Sequence, residues 1–192
     1  MKIRLAQESD AAKLLEIYNQ YIDTTVTFEY VLPSKEEFQR RVREYSKDYP
    51  YFICTDNGKC VGYVYAHKAQ ERAAFQWNAE LSIYLDKTYQ GKGLGRILYE
   101  MMFEILAKQG VKTLYGLVTT PNPNSIKLHE KTGFQLVGTY HNTGYKADKW
   151  CDLLLYEKAI GTFEDKPKPI LPFRKFDRNE LASIIKKYEA MV

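Results

Sequence analysis

A run of closely spaced glycines is the first feature of this sequence that could do chemistry. It reads Gln90-Gly91-Lys92-Gly93-Leu94-Gly95-Arg96 and is followed by an amphipathic pattern typical of a helix. Glycines let backbone N–H groups turn toward one point without obstruction by a Cβ atom, and the N-terminus of the following helix adds a positive dipole. Such a loop suits a phosphate or pyrophosphate. From this stretch alone, a tight turn that binds nothing is the alternative.

Two familiar phosphate-binding loops do not fit this stretch. A Walker A loop needs Ser or Thr after Gly-Lys, whereas Gly93 follows Lys92, and a dinucleotide-binding fingerprint needs glycine where Arg96 stands. The spacing that is present is Gln-x-x-Gly-x-Gly, from Gln90 to Gly95. It resembles the acyl-CoA pyrophosphate loop of the GCN5-related N-acetyltransferases (GNAT).

A second motif strengthens this resemblance. The stretch Asn122-Pro-Asn-Ser-Ile-Lys-Leu-His-Glu-Lys-Thr-Gly-Phe134 is similar to the family's Asn-x-x-Ala/Ser-Ile-x-Leu-Tyr-x-x-x-Gly-Phe, with His129 in place of tyrosine. In the family that tyrosine commonly protonates the departing CoA thiolate. The resemblance therefore implies that His129 supplies the proton or that the acid comes from elsewhere. From the residues alone, His129 could equally be a packed or surface histidine.

A narrower resemblance concerns the substrate. Arg72-x-x-Phe75-x-Trp77-x-x-Glu80-x-Ser82-x-Tyr84, together with His129, is similar to the phosphinothricin and methionine sulfone/sulfoximine acetyltransferases. It implies a small amino-acid or analogue substrate and a direct transfer from acetyl-CoA. The substrate-binding residues expected from it are Phe28, Arg72, Ala73, Ala74, Phe75 and Trp77. The alternatives are a surface arginine and aromatic side chains that belong to the core.

The residues expected to bind acetyl-CoA follow from the same resemblance. The fourth strand would pair with the pantetheine arm through its main chain, and the glycine loop would hold the pyrophosphate. The expected cofactor-binding residues are Ile83, Tyr84, Leu85, Gln90, Gly91, Lys92, Gly93, Leu94, Gly95, Arg96, Asn122 and Ser125. Asn122 could instead be only a helix N-cap after a proline.

Glu80 is the expected general base, because it lies on the polar face of the strand that leads into the glycine loop. An ordinary salt-bridged glutamate is the alternative. Cys151 could be a nucleophile only if a base stood beside it, and none is identifiable in the sequence. The histidines and cysteines show no metal-ligand spacing, so we expect no metal.

The elements that must position these residues can be predicted from periodicity. In the predicted strand Phe75–Leu85, Glu80, Ser82 and Tyr84 alternate with apolar residues, and the helix that starts at Leu94 is apolar at helical spacing to about Leu106. The predicted order is β-α-α-β-β-β-α-β-α-β-β. With the resemblance, it implies an α+β (mixed α/β) GNAT fold with a mostly antiparallel twisted sheet that parts between strands 4 and 5.

Other predicted elements have less direct connection to the site. Asn57-Gly58 marks a hairpin, Ser34-x-x-Glu37 a capping box, and the last strand pair is predicted at 136–140 and 150–156. We expect an acetyltransferase domain over residues 1–160 and a proline-rich basic tail with a short helix over 161–192.

Composition limits the remaining possibilities. No apolar run has the length of a membrane span, and the first residues do not have the pattern of a signal sequence. The three cysteines are an odd number without metal-ligand spacing, so we expect reduced thiols in the cytoplasm. A net charge of +4 is too small to indicate nucleic-acid binding. The family resemblance implies a homodimer. Two alternatives stay open: a peptide or protein N-terminal acetyltransferase, and a non-catalytic acyl-CoA-binding module.

Overall fold

Seven strands form one sheet in the computed structural model, which describes residues 1–192, with the strand order β1-β2-β3-β4-β5-β7-β6. The strands are β1 (Lys2–Leu5), β2 (Tyr51–Asp56), β3 (Lys59–Lys68), β4 (Asn78–Leu85), β5 (Thr113–Thr119), β6 (Gln135–Lys146) and β7 (Lys149–Ala159). The helices are α1 (Ala11–Asn19), α2 (Lys35–Tyr45), α3 (Leu94–Gln109), α4 (Pro123–Lys131) and α5 (Arg178–Glu189). No helix is both long and apolar enough to cross a membrane.

The pair β4–β5 is the only parallel pair in this sheet. Only Asn78, Ala79 and Glu80 of β4 are in register with β5, whose partners are Thr113, Leu114 and Tyr115. Beyond Glu80 the two strands part, although both continue for several residues. The predicted α+β fold with a mostly antiparallel sheet that parts between strands 4 and 5 is confirmed.

Both faces of the sheet are covered by helices. Alternate residues of a strand point to opposite faces, so Phe52 and Val64 lie in the larger core with α3, whereas Ile53 and Tyr63 lie in a smaller core with α1 and α2. Glu80, Ser82 and Tyr84 point to the same side of β4, opposite to the buried Leu81. The alternation in the sequence therefore predicted correctly which residues of β4 share a face.

Helix α3 begins and ends at glycines with left-handed backbone. Gly93 is the N-cap with φ of 89°, and Gly110 is the C-cap with φ of 94°. Between them, Leu98, Met102 and Ile105 are completely buried. The helix is thereby fixed under the sheet, and its N-terminus is held next to the gap between β4 and β5.

The C-terminal segment packs on the larger core. Phe173, Phe176, Leu181 and Ile184 are buried there, and Asp177 caps α5 by accepting a hydrogen bond from the Glu180 N–H at 2.8 Å. The chain before α5 is also fixed, because Gln109 Nε2 donates to the Leu171 carbonyl at 2.8 Å. Whether residues 161–192 form a unit separate from 1–160 stays a prediction.

Several element boundaries differ from those predicted. The last strand pair is a long hairpin, 135–146 and 149–159, that continues past the predicted ends because irregular register near Gly138 and Gly144 hides its alternation in the sequence. Strand β4 begins at Asn78 and not at Phe75, since Ala73–Phe75 form a single helical turn. The capping box is partly confirmed, because Ser34 Oγ accepts from the Glu37 N–H at 3.1 Å.

Candidate functional site

A large cavity lies where β4 and β5 part. It has a volume of about 750 Å³, and its lining comes from β4, the glycine loop, the start of α3, the end of β5 and helix α4. Ile83, Tyr84 and Leu85 line it on the β4 side, and none of the three has a register partner on β5. Backbone groups of a parted strand are available to pair with an extended ligand. We call this cavity the donor cleft.

The glycine loop supplies one end of the donor cleft. Gly91 and Gly93 have φ values of 73° and 89°, a backbone region that L-residues rarely adopt. Both glycines line the cleft, as do Gln90, Gly95 and Arg96. Helix α3 starts directly after Gly93. The loop therefore has the backbone form and the helix N-terminus that an anion site requires.

Side-chain hydrogen bonds hold this loop in place. Gln90 Nε2 donates to the Tyr21 hydroxyl at 2.6 Å, and the Tyr21 hydroxyl donates to the Leu85 carbonyl. Asn124 Nδ2 donates to Gln90 Oε1 at 3.0 Å. The loop is thus connected to the end of β4 on one side of the gap and to α4, which follows β5, on the other.

The donor cleft is positively charged. Lys87, Arg96, Lys127 and Lys131 line it, and no aspartate or glutamate does. Such a lining suits a polyanion. Two residues of the predicted cofactor set, Lys92 and Leu94, lie outside the lining: the Lys92 ammonium lies 5.0 Å from the centre of the Tyr89 ring, and the Leu94 side chain is buried in the core.

Asn122 and Ser125 line the donor cleft at the start of α4. Asn122 Oδ1 accepts a hydrogen bond from the Ser125 N–H at 3.3 Å, so Asn122 is the N-cap of this helix. Asn122 therefore has the N-cap role that was the alternative to cofactor binding, and the same residue also lines the cleft.

His129 lies at the wall of the donor cleft and is buried, with 2% of its surface exposed. Its Nδ1 lies 2.8 Å from the Ser125 carbonyl, an atom that can only accept, so Nδ1 carries a proton. Its Nε2 lies 3.4 Å from the Tyr99 hydroxyl. Burial lowers the pKa of His129 more than the hydrogen bond to Ser125 raises it. The ring is therefore neutral at pH 7, with Nε2 as an acceptor.

A second cavity, of about 420 Å³, lies on the opposite face of β4. Glu80 lines it, and its lining includes Ser82, Tyr84 and Leu117, which also line the donor cleft. The two cavities therefore meet where β4 and β5 part. We call the second cavity the acceptor pocket.

Tyrosine rings form much of the acceptor pocket. Tyr63 is stacked on Tyr84 with ring centres 5.3 Å apart, and Tyr65 is stacked on Tyr45 at 5.6 Å. Burial raises the pKa values of Tyr63, Tyr65 and Tyr84. These hydroxyls are therefore neutral at physiological pH, and the rings offer faces that attract cations.

Charged side chains surround the pocket at its α2 side. Arg41 Nη1 lies 2.8 Å from Glu29 Oε1, and Arg41 Nε lies 2.9 Å from Glu37 Oε1. Burial lowers the pKa of Arg41, but its bonds to Glu37 and Glu29 raise it more. This ion-pair group connects helix α2 to the loop after α1.

The loop after α1 covers both cavities. Thr24 and Val26 line the donor cleft, and Thr27 and Glu29 line the acceptor pocket. Buried Lys146 of β6 holds the loop, since its Nζ donates to the Thr27 and Glu29 carbonyls at 2.6 and 2.7 Å. Burial lowers the pKa of Lys146.

The predicted substrate-binding residues lie outside the linings of both cavities. Phe28 packs on Gly144 of β6, Arg72–Phe75 form an exposed turn before β4, and the Trp77 indole donates to the Lys168 carbonyl at 2.8 Å. Their role in substrate binding stays a prediction. All three cysteines are buried, and none lines either cavity.

Several residues of the site were not found from the sequence. Tyr63, Tyr65 and His67 alternate along β3 and lie opposite Tyr84, Ser82 and Glu80 in the register, so a strand periodicity of two could have placed them on the same face. No sequence signal places Tyr21, Arg41 or Tyr99 at the site, because α1, α2 and α3 bring them there by tertiary packing.

Comparison with known proteins identifies the family. Residues 3–155 match the acetyltransferase (GNAT) domain family. Phosphinothricin N-acetyltransferase of Streptomyces viridochromogenes is 30% identical, over 90% of this chain and 94% of its own length. The L-methionine sulfoximine/L-methionine sulfone acetyltransferase of Salmonella typhimurium is 29% identical, over 83% of this chain and 95% of its own.

A solved structure agrees with this match. The phosphinothricin acetyltransferase of Sinorhizobium meliloti, crystallised with acetyl-CoA, superimposes with a TM-score of 0.84 at 29% identity and covers 90% of this chain and 96% of its own. The parted β4–β5 pair, the glycine loop and the positively charged cleft are the parts of this chain that suit such a ligand. This chain therefore belongs to the GNAT acetyltransferase family and is an acetyl-CoA-dependent acetyltransferase.

Proposed function

We propose that this protein transfers the acetyl group of acetyl-CoA directly to the amine of a small amino acid or amino-acid analogue, of the phosphinothricin or methionine sulfone/sulfoximine type. One observation carries the proposal: the donor cleft and the acceptor pocket adjoin, and Ser82, Tyr84 and Leu117 line both. A thioester on one side of β4 and an amine on the other come closest where the two cavities adjoin. The names of the two relatives support the substrate class.

The donor cleft would hold acetyl-CoA. Gly91, Gly93 and the first N–H groups of α3 would bind the pyrophosphate, and the lysines and arginine of the lining would balance the phosphate charges. Main-chain groups of Ile83 and Leu85 would pair with the pantetheine arm. Bound acetyl-CoA supplies the thioester carbonyl that the amine attacks.

The acceptor pocket would bind the amine as its ammonium form. Tyrosine faces and the Glu80 carboxylate both attract a cation, and only the deprotonated amine can attack the thioester. Glu80 is the general base in this proposal. A direct transfer fits the buried cysteines, because none of them reaches a cavity as a nucleophile.

We propose that His129 acts mainly through Tyr99. Its Nδ1 proton is directed to the Ser125 carbonyl, so the ring must gain a proton at Nε2 before it can give one to a thiolate, and burial disfavours that state. As an acceptor, Nε2 instead orients the Tyr99 hydroxyl, which also belongs to the cleft wall.

Release of free CoA thiol by the purified protein tests the function. The substrates are a panel of free amino acids with phosphinothricin and methionine sulfone, and Glu80→Gln should lower kcat about 100-fold or more while the Kd for acetyl-CoA stays within about twofold. Glu71→Gln is the matched control, because that side chain is 93% exposed and lines neither cavity.

Three outcomes would contradict parts of the proposal. An unchanged rate in Glu80→Gln would exclude Glu80 as the base. Turnover of a peptide N-terminus without turnover of any free amino acid would favour the N-terminal acetyltransferase alternative. Binding of acetyl-CoA without turnover on any amine would favour the non-catalytic alternative.

We also propose a cytoplasmic homodimer. The Tyr145 and Trp150 rings lie 5.4 Å apart on the β6–β7 hairpin and are 46% and 62% exposed, a surface that suits a second copy of the chain. Sedimentation velocity of the wild type and of Trp150→Glu tests this assembly. A monomeric wild type would exclude it.

A further inference from the structure

His67 faces Glu80 directly across the sheet. The two residues are register partners on β3 and β4, and His67 Nε2 lies 3.6 Å from Glu80 Oε1. Both side chains are largely buried, with 23% and 21% of their surfaces exposed, and both line the acceptor pocket. The two groups are close enough for an ion pair when His67 is protonated, and a small movement of the Glu80 side chain would bring them within hydrogen-bond distance.

The other ring nitrogen fixes the tautomer of His67. Its Nδ1 lies 3.0 Å from the Lys68 carbonyl, which can only accept, so Nδ1 carries a proton in every state of the ring. In neutral His67 the nitrogen that lies 3.6 Å from Glu80 Oε1 therefore carries a lone pair. A proton taken up at Nε2 would be shared with the carboxylate.

Stacking fixes the orientation of this ring. The His67 ring centre lies 5.1 Å from that of Tyr45 on α2 and 5.9 Å from that of Tyr65 on β3, with interplanar angles of 26° and 29°. The ring plane cannot turn away from Glu80 without losing both contacts. The position of the His67 ring relative to Glu80 is therefore fixed by its packing on α2 and β3, and not only by its attraction to the carboxylate.

Glu80 is the carboxylate that acts most directly on His67. The other charged groups of the pocket are Glu29, Glu37, Arg40 and Arg41, and these pair with one another through Arg41–Glu29, Arg41–Glu37 and Arg40–Glu37 bonds. Burial lowers the pKa of His67, but the interaction with Glu80 and the hydrogen bond to the Lys68 carbonyl together raise it more, and the net direction is upward.

We propose that Glu80 and His67 together form the base of the reaction, with His67 as the final acceptor of the substrate proton. The inference rests on the proposed function and names a further residue for it. An N–H bond of the substrate ammonium breaks, the proton passes by way of the Glu80 carboxylate to His67 Nε2, and an N–H bond forms there. The positive charge moves from the ammonium to the imidazolium, and the amine keeps the electron pair that attacks the thioester.

The pairing has a clear energetic advantage. A free carboxyl group has a pKa near 4 and an imidazole near 6.5, and the pKa of the substrate ammonium is higher than both, so transfer to an imidazole is less unfavourable than transfer to a carboxylate. The imidazolium also leaves Glu80 ionised. The partly exposed His67 ring can then release the proton to water before the next turnover.

The pH dependence of kcat/KM for the amine tests the inference. The variant is His67→Asn, and the control is His141→Asn, because His141 also faces a carboxylate, Asp152 Oδ2 at 3.2 Å, but lies 73% exposed and outside both cavities. In His67→Asn we expect the acid limb to move to lower pH by about one unit or more and kcat on the plateau to fall about tenfold. KM for acetyl-CoA should stay within about twofold, and His141→Asn should match the wild type.

If His67→Asn lowers the rate equally at every pH and leaves the acid limb unmoved, the inference is overturned, because the loss of a merely structural histidine would have that effect. NMR titration of the His67 ring in the wild type and in Glu80→Gln gives a readout without turnover. We expect the His67 pKa to fall in Glu80→Gln, and an unchanged value would also overturn the inference. A wild type inactive on every amine would instead overturn the proposed function, and the titration would still decide whether the two residues are coupled.

Discussion

Gly116 on β5 is the glycine at which an added Cβ would make the shortest contact. A Cβ added there would lie 2.2 Å from His129 Nε2 and 2.5 Å from His129 Cδ2. The imidazole cannot retreat easily, because the rings of Phe134, Tyr156 and Tyr99 surround it with centres at 4.9, 5.3 and 5.5 Å. The substitution Gly116→Ala therefore forces this cluster to repack.

The magnitude follows from two costs. Overpacking of a tight core costs about 1–3 kcal/mol. Displacement of the ring also lengthens or breaks the 2.8 Å bond from His129 Nδ1 to the Ser125 carbonyl, which costs about 0.5–1.5 kcal/mol. We expect Gly116→Ala to lower the free energy of unfolding by about 1.5–4.5 kcal/mol, and the Tm by roughly 3–18 °C for a chain of this size.

Urea and thermal denaturation would measure this loss, with Gly138→Ala as the matched control. Gly138 lies on β6, and a Cβ there meets no atom within 4 Å. In a His129→Ala background the added methyl has room, so Gly116→Ala should cost less than about 0.5 kcal/mol. Equal stability of Gly116→Ala and Gly138→Ala, or a full penalty in the His129→Ala background, would refute the reasoning.

Three further predictions concern charge. Lys127→Gln, at the wall of the donor cleft, should raise the Kd for acetyl-CoA about 2–5-fold at low salt and less at high salt, whereas exposed Lys166→Gln should not; calorimetry measures both. The bonds from the Thr88 hydroxyl and N–H lower the pKa of buried Asp86 to about 2. Its stabilisation is therefore present above pH 4 and is lost between about pH 4 and 2, by about 2 kcal/mol, and Asp86→Asn should flatten this acid limb of urea stability. Lys146→Met should destabilise the chain by about 1–3 kcal/mol and raise KM for the amine, because two loop carbonyls lose their donor.

The parts of the fold that were predictable are those specified by neighbouring residues. The helix pattern from Leu94 and the Asn57-Gly58 turn each act within a few residues of chain, and the structure contains both. The β6–β7 hairpin was predicted too short, because its bulges interrupt the alternation on which strand prediction depends. A bulge is specified by the partner strand as much as by the strand that contains it.

The donor cleft and the acceptor pocket also differ in how far neighbouring residues specify them. The donor cleft is built largely from contiguous segments, so the stretch from Gln90 to Arg96 and the motif from Asn122 already determined its backbone and its charge. Lys92 and Leu94 fall outside its lining because adjacent loop residues point in different directions, which spacing alone does not specify.

The acceptor pocket was decided by the tertiary structure. Glu80 could be named from its strand, but His67, Arg41 and Tyr18 reach the same cavity from β3, α2 and α1. Strand register and helix packing bring them together, and both depend on contacts between residues far apart in the chain. The sequence by itself therefore determined which cosubstrate the chain is built to bind, and only the fold decided which side chains surround the pocket proposed for the acceptor amine.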